Sequence, residues 1–146
     1  MLMKTQATKV SFGVILTSVI TLFAGCANMG GDSGTKVTLS GSQEVPPVTT
    51  SASGSGTITI GADKSVSGSI TTSGIAGIAA HIHIGAAGKN GPVIVPLAKT
   101  SDNEWSVAAG AKLTDEQYAS FKAGDLYVNV HSAANKGGEI RGQLKP

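Results

Sequence analysis

A single cysteine, Cys26, occurs in the 146 residues, so no disulfide can form within the chain. A fold without cross-links must stand on its hydrophobic core, and the roughly 110 residues that follow the N-terminal stretch are enough for one such domain. Charge is sparse, with 11 basic and 9 acidic residues. No basic stripe gathers anywhere along the chain, which argues against a nucleic-acid partner. No apolar run reaches the ~20 residues of a comfortable membrane span. No serine stands in Gly-x-Ser-x-Gly ahead of a helical pattern, although Gly54-Ser55-Gly56 comes near it. No pair of carboxylates stands out among the strand-like runs either, so nucleophilic catalysis has little support and an enzyme is not the first reading. Histidine is confined to three positions, His81, His83 and His131.

The N-terminus carries an address. Lys4 and Lys9 precede an apolar run from Val10 to Phe23, interrupted by Ser11, Gly13, Thr17, Ser18 and Thr21. A charged start, an apolar run and small residues before a cut site describe an export signal. The ending Ala24-Gly25-Cys26, with Phe23 where leucine is usual, resembles the lipobox of bacterial lipoproteins, in which the cysteine receives a diacylglyceryl thioether and becomes the new N-terminus. The resemblance implies that residues 1–25 are a lipoprotein signal peptide and that Cys26 is lipidated. It also implies that the chain is exported and anchored to a membrane of the bacterial cell envelope. Ala27 in place of aspartate points to the outer membrane in a Gram-negative host. The alternative is an ordinary secretory signal with a stray cysteine. Removing residues 1–25 takes two lysines away and leaves nine basic against nine acidic residues. Residues 26–35 are rich in Gly, Ser, Asn and Asp and read as a flexible tether.

Residues 36–146 have a constant texture. Short runs of Val, Ile and Thr are separated by Gly, Ser, Asn and Pro. Strands are expected at Lys36–Ser40, Gly56–Ile60, Ser65–Thr72, Ala79–Ile84, Pro92–Leu97, Glu104–Val107, Leu126–His131 and Glu139–Leu144. About eight short strands with one short helix predict an all-β domain, an antiparallel sandwich or a barrel-like sheet. Most runs alternate: Val37 and Leu39 oppose Thr38, Ile58 and Ile60 oppose Thr57 and Thr59, and Ile140 and Leu144 oppose Arg141 and Gln143. That is the pattern of a sheet packed on one face and wet on the other. Pro92–Leu97 is continuously apolar and fits a strand buried on both faces or an edge limited by its prolines. The helix is expected after Thr114, where Thr114-Asp115-Glu116-Gln117 offers a capping box, with Lys122 in the last turn and Gly124 to end it.

Alternation also places the histidines. In Ala79–Ile84, Ala80, Ile82 and Ile84 share one face, and His81 and His83 the other. In Leu126–His131, Leu126, Val128 and Val130 share one face, and Tyr127, Asn129 and His131 the other. If the two strands pair, three imidazoles meet on one polar surface. Neutral imidazole ligates copper and zinc, and a rigid sheet fixes the geometry. Glu139 shares the polar parity of its run and is a candidate fourth ligand or supporting partner. The bland alternative is three structural histidines bonded to Asn129, Glu139, Arg141 or loop carbonyls.

Two loops are less specific. Gly85–Pro92 is glycine-rich and contains Lys89, but its spacing and the strand after it are wrong for a phosphate loop. Ser132–Gly138 joins two alternating runs and ends in Gly-Gly, as a hairpin loop does.

Three blocks together resemble the CHRD domain, the repeat first described in chordin and common in secreted bacterial proteins. They are Leu39-Ser40-Gly41-Ser42-Gln43-Glu44-Val45-Pro46-Pro47, then Ala80-His81-Ile82-His83 through Gly91-Pro92-Val93, then Leu126-Tyr127-Val128-Asn129-Val130-His131-Ser132 through Gly138-Glu139-Ile140-Arg141-Gly142-Gln143-Leu144. The resemblance covers about residues 36–146 and implies an extracytoplasmic, β-sandwich-like domain without implying a reaction. The His-x-His pair is also locally similar to the copper site of copper/zinc superoxide dismutase, although the zinc loop, the disulfide and a fourth histidine are absent here. Three functions are therefore carried forward. The first is binding of a transition metal, copper before zinc, by His81, His83 and His131 in envelope metal handling. The second is a structural or adhesive module that contacts protein or glycan through Tyr127, Asn129 and Arg141. The third is a copper redox enzyme.

Overall fold

The computed structural model describes residue 3 and residues 34–146. All of the expected signal segment but residue 3, together with Cys26 and most of the expected tether, lies outside the described residues. Eight strands follow one another: β1 (Thr35–Ser40), β2 (Ser53–Ile60), β3 (Val66–Ser73), β4 (Gly77–Ile84), β5 (Val93–Ser101), β6 (Glu104–Val107), β7 (Leu126–Ser132) and β8 (Ile140–Leu144). Among the described residues one helix, α1 (Asp115–Ala123), lies between β6 and β7, and one 3₁₀ turn, Gly41–Gln43, follows β1. Every pairing is antiparallel, and the sheet closes into a barrel in the order β1-β2-β3-β6-β5-β4-β7-β8. Closure is made where Ser40 of β1 meets Arg141 of β8. Of the two architectures expected from the alternation, the barrel is the one formed.

The apolar parity of each strand points inward. Val37, Leu39, Ile58, Ile70, Ile82, Val128, Val130, Ile140 and Leu144 are buried in one cluster with Trp105, and Ile84 packs against it from a partly buried position. Burying each such side chain contributes about 1.5–3 kcal/mol. The helix forms on its capping box. The Gln117 backbone N–H donates to Thr114 Oγ1 at 3.2 Å, and the Thr114 N–H donates to Gln117 Oε1 at 2.9 Å. It ends on Gly124 at φ +81°, a left-handed conformation that glycine adopts without strain. Phe121 is its buried residue, and it joins the core cluster together with Leu113, which lies just ahead of the cap.

Two expectations are corrected. Pro92–Leu97 is neither an edge nor buried on both faces: β5 pairs with β4 on one side and β6 on the other, with Val95 and Leu97 buried and Val93 and Pro96 exposed. A closed barrel has no edge to occupy, and no loop covers the outer face of β5. The second correction concerns the polar faces. All seven residues of β7 are buried, and four of the five in β8. Their outer face is not wet, because loops fold back over it. Asn90 Nδ2 donates to the Val45 carbonyl at 2.7 Å, and Gln143 Nε2 donates to the Gly85 carbonyl at 2.8 Å, which ties the Gly85–Gly91 loop and the segment after the 3₁₀ turn onto the barrel wall.

Candidate metal centre

Strands β4 and β7 are neighbours. Their register sets Ala79 opposite His131, His81 opposite Asn129, and His83 opposite Tyr127. Period-2 geometry then puts the three histidines on one stretch of outer wall, as expected. His81 Nδ1 and His131 Nε2 are 3.0 Å apart. One nitrogen from each of His81, His83 and His131 falls within a common 4.8 Å, so the three together could hold a metal ion. Ligand nitrogens around a tetrahedral ion at ~2.0–2.1 Å stand about 3.3 Å apart, so the rings need to draw in by at most about 1.5 Å.

Two of the rings are oriented from behind. His83 Nδ1 lies 2.9 Å from the Gly91 carbonyl, and His131 Nδ1 lies 2.9 Å from the Lys136 carbonyl. A carbonyl oxygen only accepts, so each Nδ1 carries the proton and each Nε2 is left with its lone pair. Carbonyls that fix ring tautomer in this way are the usual support of metal-binding histidine. The ring of His83 is further clamped by stacking on Tyr127, with centroids 4.8 Å apart and planes 9° off parallel, and the Arg141 guanidinium carbon sits 3.4 Å above the Tyr127 ring. Burial holds the His81 imidazole below its ordinary value, and the neighbouring His131 and His83 push the same way. Burial likewise lowers His83, against the pull of its bond to Gly91. Both are therefore neutral, and able to ligate, at neutral pH. His83 and His131 are buried and His81 half-buried, so the expected surface site is a covered one with His81 at its mouth.

The other expected residues fall differently. Glu139 does not join the histidines: its Oε1 accepts from Thr50 Oγ1 at 2.8 Å, and Ser132 first, then Thr50 and Asn135, hold its carboxyl below the usual range. Tyr127, Asn129 and Arg141 are buried, so they are not the exposed contact surface expected of them. Arg141 spends its guanidinium on Asn90 Oδ1 at 3.3 Å and on the Ala86 carbonyl at 3.2 Å.

One residue beside the site carries no role in the sequence reading. Glu44 is buried beneath the loops, with its carboxyl raised by burial against the nearby Arg141. A cavity of about 440 Å³ beside it is lined by Gln43, Glu44, Val45, Ala87 and Arg141 among others, and by none of the histidines. Glu44 sits in a loop, where periodicity assigns no face. Its only sequence signal is its place in Gln43-Glu44-Val45-Pro46-Pro47.

The CHRD domain family model matches residues 35–144. No curated protein and no solved structure matches the chain.

Proposed function

This chain belongs to the CHRD-domain family, and from that premise we propose that it binds one transition-metal ion, copper before zinc, through His81, His83 and His131, in metal handling at the bacterial cell envelope. The observation that carries the reading is the pair of buried rings whose Nδ1 protons are committed to the Gly91 and Lys136 carbonyls. His83 Nε2 has no partner at all, and His131 Nε2 accepts only from His81 Nδ1 at 3.0 Å, a contact that a bound ion would replace. A purely structural His83 would be expected to use both of its nitrogens. Copper is preferred because it stands above zinc in the general affinity order and takes imidazole nitrogen readily. When a metal binds, the neutral His81 can ligate through Nδ1 by moving its proton to Nε2.

Calorimetry with Cu²⁺ on untagged protein, purified without chelators, tests this. One-to-one binding is expected in the wild type and is lost in each of His81→Ala, His83→Ala and His131→Ala. Wild-type affinity in His131→Ala would reduce the site to a His-x-His pair. Because His81 lies at the mouth of the site, a bound ion has a path to solution, and turnover of superoxide by the copper-loaded protein would move the assignment to a redox enzyme.

The envelope half of the proposal rests on Ala24-Gly25-Cys26 after an apolar run. Intact-mass measurement on membrane-extracted protein is expected to show the loss of residues 1–25 and an added acyl mass on Cys26. A soluble product with a free thiol would refute the anchor and leave the metal site untouched.

A further inference from the structure

Asn129 occupies the centre of the covered wall. The sheet register puts it opposite His81 on β4 and opposite Arg141 on β8, with Tyr127 and His131 flanking it along β7. It is 2% exposed. Its amide nitrogen is committed elsewhere, since Nδ2 donates to the Gly137 carbonyl at 3.4 Å and packs with the Glu44 carboxyl against Gly138. The reverse orientation would set the amide oxygen against a carbonyl and a carboxylate, acceptor against acceptor. Asn129 Oδ1 is therefore the atom left over, and it has no hydrogen-bond partner. Nor has Nε2 of His83, a residue only 7% exposed that the register sets diagonally across from Asn129 on the same face of the wall. Two buried acceptors without a donor therefore stand on neighbouring positions of one wall, an arrangement that native proteins rarely leave unresolved. A cation placed between them satisfies both lone pairs at once.

We propose that Asn129 Oδ1 is the fourth ligand of the metal held by His81, His83 and His131, an inference that rests on the three-histidine reading above. The donor set is then three imidazole nitrogens and one amide oxygen. The oxygen is a hard donor and discriminates by charge and softness: it favours divalent late first-row ions, Cu²⁺ and Zn²⁺, and contributes little to soft Cu⁺. The cargo of the site is the oxidised, divalent ion.

The test is competition titration of untagged full chain, wild type and Asn129→Ala, with Cu²⁺, Zn²⁺ and Cu⁺. Asn129→Ala is expected to weaken both divalent ions by roughly 10- to 100-fold, the loss typical of removing a supporting group at a metal site, and to leave Cu⁺ binding unchanged. A second measurement needs no variant. As Zn²⁺ is added to ¹⁵N-labelled wild type, the side-chain amide signals of Asn129 are expected to shift in step with the three histidine rings. Equal divalent affinity in the two proteins, or an Asn129 amide that stays still while the rings shift, overturns the inference and leaves the three-histidine reading standing. A wild type that binds no metal overturns both.

Discussion

At the scale of single residues, the site holds two imidazoles, His81 and His83, kept neutral in a partly dry wall, and pH reports on that. The unfolded chain protonates its imidazoles near pH 6.5, whereas folded His81 and His83 are lowered below that value, chiefly by burial. As pH falls through 6.5 the unfolded state takes up protons first, so the stability that these rings contribute is complete above about 6.5 and declines below it. Glu44, raised by burial, works in the opposite sense: the stability it contributes is present at low pH and declines as pH rises above its ordinary range. The expected result is that the urea midpoint of metal-free protein falls between pH 7 and pH 5 more steeply in the wild type than in His83→Gln, a difference that isolates the histidine. Parallel profiles would show that His83 is not held neutral. The same lowering lets metal binding persist somewhat below pH 6.5, because protonated imidazole cannot ligate and these two resist protonation.

At the scale of elements, β7 carries both the core and the site. Val128 lies at its centre, fully buried and opposite Ile82 on β4 and Gly142 on β8. Val128→Asp puts a charge there without a partner, and is expected to cost at least about 3 kcal/mol in a denaturant titration. An unchanged midpoint would mean that the register is off by one residue, since such a slip swaps the faces. Short runs of Val, Ile and Thr between turn residues locate all eight strands of the described chain, alternation assigns faces in most of them, and because β4 and β7 are neighbours, the polar parity of His81, His83 and His131 suffices to bring them together. The capping box likewise locates α1. The covering of that polar face is not legible. Periodicity tells which side chains share a face and is silent about which loop folds onto it. Tyr127, Asn129 and Arg141 therefore read as exposed contacts when they are buried, and Glu44, in a loop with no period at all, gives no signal of its burial. The prolines around Val93–Val95 mislead for a related reason, because closure of the sheet turns an apparent edge into an interior strand.

At the scale of the whole molecule, the barrel formed by the described residues has no free strand edge, and it is closed by the seam between the first and last strands. Removing residues 139–146 deletes β8 and leaves β1 and β7 each with an unpaired side, the kind of edge that recruits other chains. Such a truncation is expected to aggregate at concentrations where the full chain stays monodisperse, as light scattering would show; a monodisperse product would mean that the seven remaining strands close on themselves. The same seam has a mechanical side. Antiparallel pairing of β1 with β8, closed at Ser40 and Arg141, brings Thr35 and Leu144 to the same rim, so the described chain leaves the barrel where it enters. Tension between the segment before Gly34 and the tail after Leu144 therefore does not run along the barrel. It falls across the β1–β8 seam, which is pulled open from that rim toward the pairing of Ser40 with Arg141, so the two strands part as the halves of a zip do instead of sliding past one another. β4 and β7, which carry the histidines, lie outside that line of force until β1 has peeled away.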